Sequence, residues 1–426
     1  MTRVVPYGTP TTSDEQLASH LRVGPGFVDV DWLHDGEMRV TTKAWVGVIR
    51  FSRVELRIVP KLVGGDLGVL AMFSYCSGWK SLTHLNSLRT LATGGANLLD
   101  LVCHLLSDAA STLIREGLLQ DYVAREELLP ALRGRLRFRD QAMKRFGVMN
   151  VLECAFDEFE SDILENQIIG AGLRRARSLA TDDVVRERSG RLESAFAEVC
   201  ASANLDPNTA RQQLVYHRRN EQYRSAHQWA FLLFEGRAVS EFFDAGDSDA
   251  PVFLLDMNRL FERFVTKLIS DAYAGSLVHV AAQRRTPAVI VNEATLGTYS
   301  TLVPDLLLHA GPPTNRVLPL DAKYKLYDVA KVSPADIYQT FMYAIAFADA
   351  LGPTPTSVII YPGDVTGTST QLAILRVNAP RARIFCLSLN VPEALENLAP
   401  TAGYSGTLSR TLVKLKGLCD ECLASA

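Results

Sequence analysis

Apolar and polar residues alternate along the first part of the chain. "FVDVDWL", "MRVTTKAWVGVIRF" and "VELRIVPKL" repeat with a period of two, as strands with one buried face do. This predicts β-rich structure up to about residue 64, where "VGGDLG" reads as a turn. Helical spacing follows, most clearly in "NLLDLVCHLLSDAASTLIREGLL", residues 97–119. From residue 131 to about 240 the pattern is mostly helical, with a long helix predicted over "DILENQIIGAGLRRARSLA". The acidic, turn-rich "EFFDAGDSDAP", residues 241–251, is the clearest domain boundary. Beyond it, helix and strand patterns alternate. A helix is predicted through "DMNRLFERFVTKLISDAYAG". Strands follow in "LVHVAAQ", "TLVPDLLLHA" and "RVLPLDAKYK", the last two joined by "GPPTN" as a hairpin. "PADIYQTFMYAIAFADALG" reads as a helix with Ser333 as N-cap and Pro334 in its first turn. Strands in "TSVIIYP", "QLAILRV" and "ARIFCLSLN" and a terminal helix complete the chain.

The expected class is mixed α/β in three segments. Residues 1–130 are β-rich, then helical. Residues 131–250 are mainly helical with basic stretches. Residues 251–426 hold a mixed central sheet flanked by helices. At about 150 residues per domain, 426 residues suggest two or three domains.

Composition narrows the function. With 47% apolar and 21% charged residues the chain has the balance of a soluble globular protein. A formal net charge of -3 excludes a uniformly basic nucleic-acid binder, so positive charge for such a ligand must be local. Seven cysteines, an odd number, fit a reduced cytoplasmic protein better than a disulfide framework. Cys419 and Cys422 are the one close pair. Without a second pair nearby they read as ordinary thiols of a helix. No apolar run approaches the roughly 20 residues of a membrane span, and the opening residues lack the apolar core of a signal peptide. "GWKS", residues 78–81, lacks the direct Gly-Lys-Ser order of a phosphate loop, so nucleotide hydrolysis is expected to belong to a partner.

Two stretches concentrate basic residues. "LRGRLRFRDQAMKRFG" carries Arg133, Arg135, Arg137, Arg139, Lys144 and Arg145 against one acid, Asp140. "VYHRRNEQYRSAHQWAFLLF" adds Arg218 and Arg219. Either is a solvated face or a phosphate-contacting surface. Arg133, Arg135, Arg137, Lys144, Arg145, Arg218 and Arg219 are the DNA-binding candidates of the second reading.

The chemistry concentrates later. Asp305 lies in an apolar run, and Asp321 and Lys323 follow on the next predicted strand, with Lys325 expected on their face. Unpaired charge inside a sheet costs several kcal/mol or titrates until neutral. Two acids and an amine are tolerable together where they meet around a divalent cation. Mg²⁺ takes carboxylate oxygens and keeps several waters. A water so activated can attack a phosphodiester, and Lys323 can stabilise the charge that develops. Glu262 could reach the metal from the preceding helix. Gln339 and Tyr343, four apart on the following helix, could contact substrate or brace Lys323. The structural alternative is a buried salt bridge between Lys323 and Asp305 or Asp321.

At these residues the chain resembles the PD-(D/E)xK nuclease superfamily: "VPD" ending at Asp305, "DAK" from Asp321 to Lys323, then Gln339 and Tyr343. More broadly it resembles the McrC family, the nuclease subunits of McrBC-type modification-dependent restriction systems, in "VELRIVPKL", "ELLPALRGRLRF", "FDEFESDILENQII" and "LDMNRLFERFV". The resemblance implies a Mg²⁺-dependent endonuclease, with Mn²⁺ as an alternative ion. Asp305, Asp321 and, less firmly, Glu262 would bind metal, and Lys323 would be the catalytic lysine. It also implies an McrB-like AAA+ GTPase hexamer as partner. That partner would recognise modified cytosine in double-stranded DNA, and its GTP hydrolysis would be stimulated by this chain. The loop from Arg50 to Arg57 is a candidate for ring contact, with half-buried strand charges as its plainer account. A stand-alone nuclease of the same superfamily and a non-catalytic adaptor of the GTPase are the alternatives.

Overall fold

A computed structural model describes residues 2–22, 27–60, 63–76, 92, 95–202, 205–236, 252–311, 315–328, 331–348, 354–376, 379–398 and 409–425. The proposed boundary at 241–251 and the "GWKS" stretch lie outside these residues.

The elements in chain order begin with β1 (Thr2–Pro6), α1 (Thr12–Arg22), β2 (Val28–Trp32), β3 (Glu37–Thr42), β4 (Trp45–Arg50), β5 (Glu55–Ile58) and α2 (Gly65–Cys76). Next come α3 (Leu98–Glu116), β6 (Asp121–Leu129), β7 (Arg135–Leu136), α4 (Phe138–Arg145), β8 (Leu152–Glu160), α5 (Leu164–Leu179), α6 (Asp183–Ala197), α7 (Pro207–Gln213) and α8 (Arg224–Glu235). The rest are β9 (Val252–Asp256), α9 (Met257–Ala272), β10 (Val278–Ala282), β11 (Thr286–Val291), β12 (Thr298–Leu302), β13 (Leu306–Ala310), β14 (Val317–Ala322), α10 (Pro334–Ala346), β15 (Thr356–Pro362), β16 (Gly367–Arg376), β17 (Ala379–Leu389), α11 (Val391–Leu398) and α12 (Arg410–Ser425). The class is mixed α/β, as the sequence predicts.

The chain divides into two compact units. One comprises Met1–Gly47, Leu56–Thr90 and Leu254–Ala426, the other Val48–Glu55 and Leu91–Phe253. Residues 1–130 of the sequence division thus contribute to both units. Residues 131–250 fall in the second, and 251–426 in the first apart from 251–253.

The first unit is organised on a six-stranded sheet of order β10-β13-β14-β15-β17-β16. β10, β13 and β14 form an antiparallel meander, α10 crosses over, and β15 runs parallel to β14. A parallel neighbour needs such a crossover because a short turn cannot return the chain to the same end. Every residue of β15 is buried, which explains why "TSVIIYP" reads as an unbroken apolar run. On one face Ile359, Tyr361, Ile384 and Cys386 form a core with Ile337 and Phe341 of α10 packed against it. α9 starts where Asp256 accepts hydrogen bonds from the backbone N–H groups of Asn258 and Arg259. It buries Leu260, Phe261, Phe264, Val265, Leu268 and Ile269, the i, i+3, i+4 stripe of a helix with one apolar face. The same unit holds a three-stranded sheet of order β1-β3-β2.

The second unit packs α5 against α6 and α8. A Cβ at Gly172 of α5 would stand 2.6 Å from the Cβ of Ala230 on α8, so glycine permits that close approach. β6 and β8, nine residues each, pair antiparallel from Asp121↔Glu160 to Leu129↔Leu152. Among the described residues from 131 to 236 helices predominate, and β6, β7 and β8 are strands that the sequence reading did not single out. β6 has no buried residue, β8 buries Glu153, Cys154 and Phe156, and both are rich in acids, so no continuous apolar face marks the sheet.

Two boundaries near the chemistry are also corrected. "TLVPDLLLHA" is two strands, β12 and β13, with Val303, Pro304 and Asp305 between them. "RVLPLDAKYK" leaves the sheet after Ala322. Among the described residues no helix is long and apolar enough to cross a membrane.

Candidate active site

The antiparallel register of β13 and β14 pairs Leu306 with Leu320 and Leu307 with Pro319. One step beyond β13, Asp305 stands across from Asp321. Residues directly opposite in an antiparallel pair share a face. Leu306 and Leu320, buried on the other face, hold the strands in that register. Asp305 Oδ2 accepts a 2.7 Å hydrogen bond from the backbone N–H of Ala322. The N–H of Lys323 donates to the carbonyl of Ile360 on β15 (2.8 Å), and its Nζ lies 2.8 Å from Asp321 Oδ2. Asp305, Asp321 and Lys323 are therefore brought together where β14 ends.

Electrostatics at this point are strained. Asp321 is 2% exposed. Burial, then the neighbouring Asp321 and Glu262 charges, push the Asp305 carboxyl up to about 7, against the Ala322 N–H and Lys323. Burial raises Asp321 as well, opposed by Lys323 and by a hydrogen bond with Asp305. Burial alone would lower Lys323, but Asp321, Asp305 and Asp336 outweigh it and hold the amine above its ordinary value. Although Lys323 Nζ is close to Asp321 Oδ2, that buried oxygen has no well-directed hydrogen bond.

The remaining predicted residues are placed as follows. Glu262 on α9 is half-buried, and its Oε1 accepts a 2.5 Å hydrogen bond from Gln283 Nε2. Tyr343 is buried and donates to the carbonyl of Val303 (3.1 Å), two residues before Asp305. Gln339 Nε2 donates to Tyr343 Oη (3.0 Å). The pair thus braces the segment leading into Asp305. Lys325 lies beyond the end of β14, and its partner Asp336 is on α10, which packs on the face of Ile359, the β15 residue paired with Asp321. Beyond Ala322 the chain turns, and Lys325 Nζ reaches Asp336 Oδ2 (2.5 Å) beside the Tyr327 and Ser333 hydroxyls. Strand alternation stops applying once the strand has ended.

Among the described residues no group of three or more His, Cys, Asp or Glu side chains is arranged to hold a metal ion. Asp305 and Asp321 offer hard oxygen donors on one face, including an oxygen without a directed donor. That donor set fits Mg²⁺, which takes one or two carboxylates and completes its shell with water.

The basic candidates are mostly engaged. Arg133 pairs with Glu158 (2.9 Å) and stacks over Phe156. Arg137 pairs with Glu126 (2.8 Å) and Asp140 (2.5 Å), and Lys144 with Asp140 (3.4 Å). Arg145 pairs with Glu153 (3.3 Å) and Arg219 with Asp121 (3.6 Å). Arg135 and Arg218 are exposed. Arg50 pairs with Glu55 (3.0 Å). Cys419 and Cys422 are buried on α12. Sequence reasoning missed Gln283, whose backbone N–H donates to the Asp305 carbonyl (2.9 Å), and the exposed Arg284 and Arg285 that follow it. The alternation of "LVHVAAQ" gave no reason to single them out.

Fold and site together define a mixed α/β protein that gathers two acids and a lysine at the end of an antiparallel strand pair. The chain belongs to the family described as "McrBC 5-methylcytosine restriction system component", whose model matches residues 40–362. This agrees with the resemblance read from the sequence. Among solved structures the fold is similar to one described as a refined half-complex from the tetradecameric assembly of Thermococcus gammatolerans McrB AAA+ hexamers with bound McrC. The TM-score is 0.57 and identity 18%, covering 97% of this chain and 90% of that one. At such identity the likeness is one of fold. A chain of the Thermococcus gammatolerans McrBC complex gives a TM-score of 0.41 at 22% identity, covering 62% of this chain and 75% of that one. No curated protein matches in sequence.

Proposed function

We propose that this chain is the McrC-type subunit of a modification-dependent restriction system. It cleaves double-stranded DNA with Mg²⁺ when docked on an McrB-like AAA+ GTPase hexamer, and it stimulates that partner's GTP hydrolysis. The observation carrying the nuclease reading is the convergence of Asp305, Asp321 and Lys323 at the end of β14. The sequence supplies no phosphate loop, and the similar structure holds McrB hexamers with bound McrC; both support the division of labour.

Asp305 and Asp321 would hold the ion. When bound, it activates a water and offsets charge on the phosphate. Lys323, anchored by Asp321, keeps an ammonium aimed at the space beside the acids, where it stabilises charge developing in the transition state. Tyr343 and Gln339 keep the approach to Asp305 in place.

The test is cleavage of modified DNA with Mg²⁺, GTP and partner by Asp321→Ala and Lys323→Ala. Each should lose cleavage by more than about 100-fold while partner GTPase stimulation persists. Wild-type cleavage by Asp321→Ala would remove the proposed site. The Asp321–Lys323 ion pair also suits an adaptor that keeps the pair as a structural salt bridge. Undiminished GTPase stimulation by wild type, with no cleavage in any metal, would favour that reading. Robust cutting of DNA with Mg²⁺ alone would favour a stand-alone nuclease.

A further inference from the structure

We infer that Gln283 is a positioning residue of this site, fixing the Glu262 carboxylate beside Asp305 so that Glu262 contributes to divalent-cation binding. This rests on the proposed function and extends it to a residue outside the acid–lysine set. β10 pairs Ala282 with Leu306. At the next step the Gln283 backbone N–H donates to the carbonyl of Asp305 (2.9 Å). Its side-chain amide donates to Glu262 Oε1 on α9 (2.5 Å). One residue thus touches the sheet acid through its backbone and the helix acid through its side chain.

Gln283 does so with φ of +43°, in the left-handed region that residues with a Cβ adopt at a cost. Glycine would make the same turn without that cost, but could not reach Glu262. Non-glycine residues persist in such conformations where surrounding structure holds them, often beside functional sites. The chemistry of the donor also matters. An amide orients a carboxylate without neutralising it, whereas an arginine or lysine there would compete with a cation for it. Glu262 is half-buried, its charge acts on Asp305, and the Gln283 amide is the side-chain donor that holds it there.

The experiment uses the full chain and Mn²⁺ as probe. Calorimetric binding and thermal unfolding are measured for wild type, Gln283→Gly, Gln283→Asn, Glu262→Gln, Asp321→Ala and the Gln283→Gly/Glu262→Gln pair. Gln283→Gly should weaken Mn²⁺ binding about tenfold, as loss of outer contacts to metal ligands does, while Tm holds or rises because the strained backbone is relieved. Gln283→Asn tolerates the turn but is one methylene short, so it should bind as weakly as the glycine variant. Glu262→Gln should show a similar loss, and the double variant no further loss. Wild-type binding by Gln283→Gly, losses that multiply in the double variant, or a Tm that falls together with binding would overturn the inference. If wild type binds Mn²⁺ no better than Asp321→Ala, the nuclease reading fails and this inference with it. Asp321-dependent binding that ignores Gln283 overturns this inference alone.

Discussion

Asp305 Oδ2 accepts the backbone N–H of Ala322 at 2.7 Å. That contact ties the approach to β13 to the last residue of β14 and sets Asp305 beside Asp321, which precedes Ala322. The position of one acid is thus locked to the strand that carries the other.

The pair should make stability depend on pH. The Asp305 carboxyl sits at about 7 in the folded chain, against an ordinary 3.8. Between those values the unfolded chain loses a proton that the folded chain keeps, so metal-free stability falls as pH rises from about 4 to about 7. Asp305→Asn should lessen that fall, the raised Asp321 remaining, and be the more stable protein at pH 8, by roughly 1–2 kcal/mol. Denaturant unfolding from pH 5 to pH 8 checks this; parallel profiles for the two proteins would contradict it.

Tyr343→Phe removes the donor to the Val303 carbonyl and the acceptor of Gln339. Val303 is exposed, so water can replace the lost donor, and chemical denaturation should show the loss of about 0.5–1.5 kcal/mol typical of one hydrogen bond. Cleavage should fall further than the unfolding midpoint predicts, because the loosened segment leads into Asp305. Gln339→Ala, at an exposed position, should leave stability within about 0.5 kcal/mol of wild type.

The engaged arginines should contribute little to DNA affinity. Arg137→Ala breaks surface ion pairs worth roughly 0–1 kcal/mol. Arg284 and Arg285 are exposed, follow Gln283 in the chain and make no ion pair among the described residues. Replacing both with alanine should weaken DNA binding and flatten its salt dependence more than Arg137→Ala does. Fluorescence anisotropy over a salt series measures both; equal slopes for the two variants would contradict the assignment.

Buried thiols should be inert. Burial pushes Cys386 up to about 11, and burial with the nearby Glu421 pushes Cys422 up to about 12. Thiol titration of the folded chain at pH 8 should leave both unmodified until denaturant is added.

Much of the fold was legible because strong periodicity survives packing. β15 matches "TSVIIYP" at both ends, and Ser333 caps α10 as expected, accepting from the N–H of Asp336. β6 and β8 were not legible, since two acid-rich strands, one with no buried residue, carry little apolar alternation. Asp305, Asp321 and Lys323 stood out because charge in an apolar run needs a reason. Gln283 did not, since an exposed glutamine after a strand carries no such signal.

The sequence by itself determined the mixed α/β class, the family resemblance and which side chains are chemically conspicuous. These depend on period and residue type, which are local. Tertiary structure decided that Asp305 faces Asp321, that Lys325 pairs with Asp336, and that most basic candidates are spent on acids of their own unit. These depend on strand register, on where a strand stops and on contacts between residues far apart in the chain, none of which a local pattern encodes.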